Sequence, residues 1–168
     1  MLAFGKRQSR KPIRRGLLVN KVQALVAGAG SAITGGIAAL FVPYAEVKSP
    51  SLAQYQQRCE YALSVFRVEM VQAGNGRIAF TMGESWRPNS VAEHYYRTGR
   101  GIANSLHTKR LAVDLNLFID GMYQSDGEAH APLAKYWMQR GAELGVKPAA
   151  GYFFNDGNHY SCEWEGIK

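Results

Sequence analysis

A chain of 168 residues has room for one ordinary domain and a short extension, since domains run to roughly 100–200 residues, and this excludes a multidomain machine. A content of 46% hydrophobic and 11% aromatic residues supports a packed core and excludes intrinsic disorder. The formal charge of +7 comes wholly from residues 1–21, where Lys6, Arg7, Arg10, Lys11, Arg14, Arg15 and Lys21 stand without an acid; the rest of the chain is formally neutral, so a polyanion-binding body is excluded and no nucleic-acid partner is expected.

After this basic leader, residues 22–45 carry no charge at all. The stretch is long enough to span, because about 20 mostly apolar residues cross a hydrocarbon core of about 30 Å. Its apolarity is weak: Ala and Gly dominate, and Gln23, Ser31 and Thr34 interrupt Leu25, Val26, Ile33, Ile37, Leu40 and Phe41. Basic residues on one side keep that side cytoplasmic, so the expectation is a membrane anchor, N-in and C-out. A cleaved signal helix and a buried soluble helix are the alternatives. Residues 46–51, with Ser49 and Pro50, read as a linker.

From Leu52 the pattern is that of a soluble domain. Apolar residues at Tyr55, Cys59, Leu63, Phe66 and Met70 recur at helical spacing, and the helix should end near Gly74. Asn75-Gly76 is a turn signal, and Ile78–Met82 reads as a strand. A helix is expected over Ser90–Tyr96. In the run 111–118, Leu111, Val113, Leu115 and Leu117 alternate with Asp114 and Asn116, which is a strand with one apolar and one polar face. A helix over Pro132–Leu144 buries Leu133, Trp137 and Leu144 and stops at Gly145. Asn158–Trp164 reads as a last strand. Helices and strands mix without a βαβ rhythm, so the expected class is α+β: a small mixed or antiparallel sheet with flanking helices, preceded by one apolar N-terminal helix. Cys59 and Cys162 are too few for a zinc ribbon and leave one disulfide open.

Lone histidines and acids are common, so chemistry is sought where several fall together. His107 stands just before the alternating strand, Asp114 lies on its polar face, and Asp156 and His159 sit at the last strand. A hydrolytic zinc site takes three protein ligands and leaves one position for water; His107, Asp114 and His159 fill that count and leave Asp156 as a base. His94 and His130 share no such spacing. Ser105 lacks a paired base, which excludes it as a nucleophile.

The segment Ser105-Leu106-His107 through Asp114 resembles the S-x-H-x(6)-D signature of the zinc D-Ala-D-Ala carboxypeptidase and L-alanyl-D-glutamate endopeptidase family, in particular its phage endolysin members. Asp156-Gly157-Asn158-His159 is similar to that family's D/E-x-x-H element. The resemblance implies a zinc peptidase domain at 52–168, with Zn2+ on His107, Asp114 and His159, Asp156 as catalytic acid/base, Arg87 stabilising the oxyanion and Ser105 supporting the His107 loop. It implies a peptidoglycan stem peptide as substrate, with the L-Ala-D-Glu bond favoured over D-Ala-D-Ala trimming, and a monomeric catalytic domain. The span at 22–45 resembles a signal-anchor-release element, which implies attachment to the bacterial inner membrane and entry to the periplasm on release. A phage structural or ejection protein using the fold only to bind the wall is the alternative from another class.

Overall fold

The computed structural model describes residues 49–168. The expected leader at 1–21, the anchor or signal helix at 22–45 and residues 46–48 of the linker lie outside the described residues. Among the described residues no helix is long and apolar enough to cross a membrane.

Helix α1, Leu52–Ala73, begins where Ser51 and Gln54 satisfy each other's backbone N–H groups, a reciprocal cap that fixes the helix start. Its stripe of Tyr55, Cys59, Leu63, Phe66 and Met70 is buried. The chain leaves the helix through Asn75 and Gly76, both at positive φ (46° and 77°), and enters β1, Ile78–Met82. Helix α2, Asn89–Arg97, precedes β2, Ala112–Ile119. A hairpin then leads to the two-residue β3, Met122–Tyr123. Helix α3, Ala131–Glu143, is followed by β4, Pro148–Ala150, and β5, His159–Cys162.

The strands form one antiparallel sheet in the order β1-β2-β5-β4, with β3 paired to the far end of β2. The class is α+β. The apolar face of β2 meets α1: Val113, Leu115 and Leu117 join Phe66, Trp137 and Tyr160 in a single core, and the Phe66 ring lies 5.2 Å from Tyr160 and 5.5 Å from Trp137. One charge is buried there. Glu69, 1% exposed, is held by the Arg140 guanidinium at 2.8 Å and by the Tyr136 hydroxyl at 2.8 Å, which ties α1 to α3 and compensates its desolvation.

The last strand is shorter than its alternation suggests. It ends at Cys162, because Glu165 and Gly166 turn the chain at positive φ (51° and 80°) and Trp164 bridges to Ile167 instead. The two cysteines pair: Cys59 of α1 and Cys162 of β5 form a disulfide with Cα atoms 5.9 Å apart, closing a separation of 103 residues.

His130, 2% exposed, lies beside the Tyr160 hydroxyl at 3.0 Å, and burial pushes its pKa down to about 4. Unfolded, the same imidazole protonates near 6.5. The unfolded chain therefore binds the extra proton first, so this contribution to stability is complete above pH 6.5 and is lost as pH falls towards 4, by on the order of 3 kcal/mol. Urea unfolding at pH 7.5 and 4.5 should show a loss in the wild type that is smaller in His130→Gln by that amount; equal losses would contradict it.

Candidate metal centre

The face of the sheet turned away from α1 carries the polar residues of β2. Asp114 stands there directly opposite His159 of β5, as Cα partners in the antiparallel ladder, so their side chains share that face. The third group arrives from a loop. Ser105 caps a short 3₁₀ turn, Leu106–Lys109, by accepting the His107 N–H on its Oγ at 3.4 Å, while Leu106, 1% exposed, plugs the turn into the core. These constraints aim the His107 ring across the strand.

The three side chains converge. His107 Nε2 lies 3.1 Å from His159 Nδ1, and each lies 3.3 Å from Asp114 Oδ1. In a tetrahedral zinc site with bonds of about 2.0–2.1 Å, neighbouring ligand atoms stand about 3.3–3.4 Å apart, so this triangle has the size of one face of such a tetrahedron. His107 and His159 are buried, and their outer nitrogens, His107 Nδ1 and His159 Nε2, have no hydrogen-bond partner among the described residues. The hydrogen-bond contacts of the two rings lie at the shared centre. Burial pushes the Asp114 carboxyl up, but hydrogen bonds and charge from His107 and His159 outweigh it and hold the group far below the usual carboxylate range. His107, Asp114 and His159 form the metal-sized cluster among the described residues; His94 and His130 take no part.

Asp156 reaches the same place from the loop before β5. Its Oδ2 is 4.0 Å from His159 Nδ1, and its side chain is 55% exposed. The loop is fixed by Gly151: a Cβ there would run into the Asp156 carbonyl oxygen and His159 Cβ, and the Asp156 N–H donates to the Gly151 carbonyl at 2.9 Å. Phe154 stands edge-on to His159, with ring centroids 6.0 Å apart, and exposes nearly half of its surface beside the centre.

Arg87 also lies beside the centre, paired to a residue that the sequence did not single out. Glu84 accepts from Arg87 Nε at 2.8 Å and Nη2 at 2.6 Å, and Arg87 Nη1 donates to Ser105 Oγ at 3.3 Å. These contacts use three of the five guanidinium donors, and the other two N–H groups have no hydrogen-bond partner among the described residues. The backbone repeats the connection: the Glu84 carbonyl accepts the Asp114 N–H at 2.8 Å, and the Arg87 N–H donates to the His107 carbonyl at 3.2 Å. The Glu84–Arg87 pair therefore braces the two segments that present His107 and Asp114. The hydrogen bond from Arg87 lowers the Glu84 pKa, and the same bond raises that of Arg87. The sequence signal for Glu84 was only its spacing of three from Arg87, inside a loop of no periodicity. Removing a partner that orients metal ligands typically costs about 10–100-fold in affinity, and Glu84→Gln should weaken zinc binding by that factor in a chelator competition; unchanged affinity would contradict the bracing role.

No family model matches the chain, and no curated protein matches it by sequence. Among solved structures, the L-Ala D-Glu endopeptidase ChiX of Serratia marcescens is similar, with a TM-score of 0.48, 18% sequence identity, and coverage of 67% of this chain and 89% of that chain.

Proposed function

We propose that the chain is a zinc peptidase of the bacterial cell wall, an endolysin that holds one Zn2+ on His107, Asp114 and His159 and hydrolyses peptidoglycan stem peptides. The observation that carries this reading is the convergence of two buried imidazole nitrogens and one carboxylate oxygen within 3.1–3.3 Å of one another, in a segment whose S-x-H-x(6)-D and D-x-x-H spacings resemble those of the peptidase family. Bound on these three residues, the ion would supply the Lewis acidity that acidifies a water and polarises a peptide carbonyl.

The chain's own residues do the rest. Asp156, half in solvent and 4.0 Å from His159 Nδ1, is assigned the role of taking the water proton and passing it to the leaving amine, and its nearness to the cluster supports this. Arg87 brings positive charge to the rim, and its two unengaged N–H groups serve the oxyanion of the tetrahedral intermediate. Ser105 keeps the His107 turn and the Arg87 guanidinium in one hydrogen-bonded unit. Phe153 and Phe154, 55% and 45% exposed, offer apolar wall to the peptide. We favour the L-Ala-D-Glu bond; D-Ala-D-Ala trimming uses the same chemistry and yields different product masses. The uncharged stretch at 22–45 behind seven basic residues supports delivery across the inner membrane, with residues 52–168 facing the periplasm.

Mass analysis of muropeptides incubated with the chain, with and without zinc, tests the reaction and the bond together. Asp156→Ala should retain zinc and lose about 10²–10⁴-fold in kcat, the usual contribution of a positioned acid/base. An Asp156→Ala protein as fast as the wild type would overturn its role.

A further inference from the structure

Two cavities run together on the side of the sheet that α1 covers. One, of about 460 Å³, lies between α1 and the edge strand β1 and is lined by Val68, Val71 and Met82. The other, of about 240 Å³, continues past the end of β1 to Trp86 and Arg110. Arg67 and Met82 line both, and Arg67 Nη1 lies 2.9 Å from Met82 Sδ, so the two form one groove. The second cavity reaches Val113, which faces α1, whereas its neighbour Asp114 faces the other way. The groove and the metal centre therefore lie on opposite faces of the sheet.

The groove combines two chemistries. Val68, Met82 and Trp86 expose about half of their surface and Val71 more than a third. Apolar side chains exposed singly are ordinary, but a contiguous group of them rimmed by polar residues marks a surface that meets a partner or a membrane. The charge among them is basic. Arg67 is matched by Glu60 at 3.2 Å, whereas Arg110 has no acidic partner among the described residues and lies over the Trp86 ring, its Cζ 5.6 Å from the centroid. Tryptophan and arginine among aliphatic side chains suit the boundary between lipid and water: the indole sits at headgroup level, and the long basic side chain keeps its charge at the phosphates.

The position of the uncharged stretch favours lipid as the occupant. That stretch ends at Ala45, and α1 begins at Leu52. The intervening residues 46–51 reach at most about 20 Å, and Arg67 lies about 22 Å along α1 from its start. With residues 22–45 in the bilayer, α1 laid along the surface brings the groove onto the headgroups. A tethered patch acts at a high effective concentration, so a single unmatched arginine and a few apolar side chains suffice. The face that carries His107, Asp114 and His159 then points away from the membrane, towards the wall.

We propose that this groove is a docking surface for anionic phospholipid, which lays the domain on the inner membrane with its metal centre turned outward. The inference rests on the anchor reading of residues 22–45 and is independent of the metal chemistry.

The full chain, incorporated into phosphatidylcholine vesicles that contain a chain-brominated lipid, with or without phosphatidylglycerol, tests it. The chain has three tryptophans, and the emission of Trp86 is the difference between the wild type and Trp86→Phe. Bromine should quench that difference with phosphatidylglycerol present and much less without it. Arg110→Gln should lower the ratio of docked to undocked chains about 5-fold, the weight of one arginine at an anionic surface. Val68→Asp, at an exposed helix position, should lower it at least as much. Trp86 left unquenched, quenched equally in the two vesicle types, or quenched as fully in either variant overturns the proposal. So does Trp86 shielded from acrylamide yet untouched by bromine, the result expected if residues 22–45 or a second copy of the chain cover the groove. A chain that does not float with the vesicles sinks the anchor reading and this proposal together; a chain that floats with Trp86 unquenched sinks the docking surface alone.

Discussion

Asp114→Ala should abolish both zinc binding and peptide hydrolysis, and His107→Ala should do the same. Asp114 supplies the charged member of the triangle, and its Oδ1 lies 3.3 Å from both ring nitrogens. Without it the site keeps two imidazole donors and no carboxylate to offset the charge of a divalent ion. The loss should exceed the about 10–100-fold typical of an outer partner, because a bond to the ion itself is removed, and turnover should fall to the metal-free background. Asp114→Asn is the companion variant: it preserves the shape of the strand residue and removes the charge. The ladder around position 114 is made by backbone groups, with the Asp114 N–H on the Glu84 carbonyl and the Gly83 N–H on the Asp114 carbonyl, so both variants should fold. Equilibrium dialysis against zinc, followed by a muropeptide assay, measures both effects. Retained activity in either alanine variant would contradict the assigned ligand set.

Loss of the disulfide carries the second large effect. Cys59 and Cys162 lie 103 residues apart, so reduction releases most of the described domain as one long loop. The chain-entropy relation gives about 5 kcal/mol for a loop of that length, with about 2–4 kcal/mol typical of measured bridges. For a domain whose net stability is about 5–15 kcal/mol, this is a large fraction. The bridge joins α1 to β5, the strand that carries His159, so its loss also loosens the centre from behind. Unfolding of the Cys59→Ser/Cys162→Ser protein in urea should show a midpoint well below that of the oxidised wild type. A midpoint within error of the wild type would show that the apolar contacts of Phe66, Trp137 and Tyr160 suffice alone. A bridge of this kind forms in oxidising compartments, which fits the export expected from residues 1–45.

The elements most legible in the sequence were those with a strong period. The 3–4 spacing of Tyr55 through Met70 marked α1, and the alternation from Leu111 to Leu117 marked β2, because each pattern is the direct consequence of burying one face. The cluster of His107, Asp114 and His159 was legible in part: the alternation puts Asp114 on the face opposite the core, whereas His159, its ladder partner, was joined to it in the sequence only through the resemblance of the S-x-H-x(6)-D and D-x-x-H elements. Other features depend on contacts between segments that carry no periodic signal. Pro148–Ala150 has no β-branched residue, and it becomes a strand because β5 offers it a partner, with Ala149 opposite Ser161. β3 has only two residues, although the Asp120-Gly121 step before it, at φ 53° and 74°, is a favoured hairpin dipeptide. Glu84 acquires its place through contacts with Arg87, Ser105 and the backbone of Asp114, and no local pattern reports those. The pairing of Cys59 with Cys162 likewise requires α1 to be laid on β5 first.

Calorimetric titration of the metal-stripped full chain with zinc at neutral pH tests the shared centre of His107, Asp114 and His159 most directly. The expected result is one ion per chain, with affinity that is lost in Asp114→Ala. No zinc uptake by the wild type, or uptake undiminished in Asp114→Ala, would contradict it.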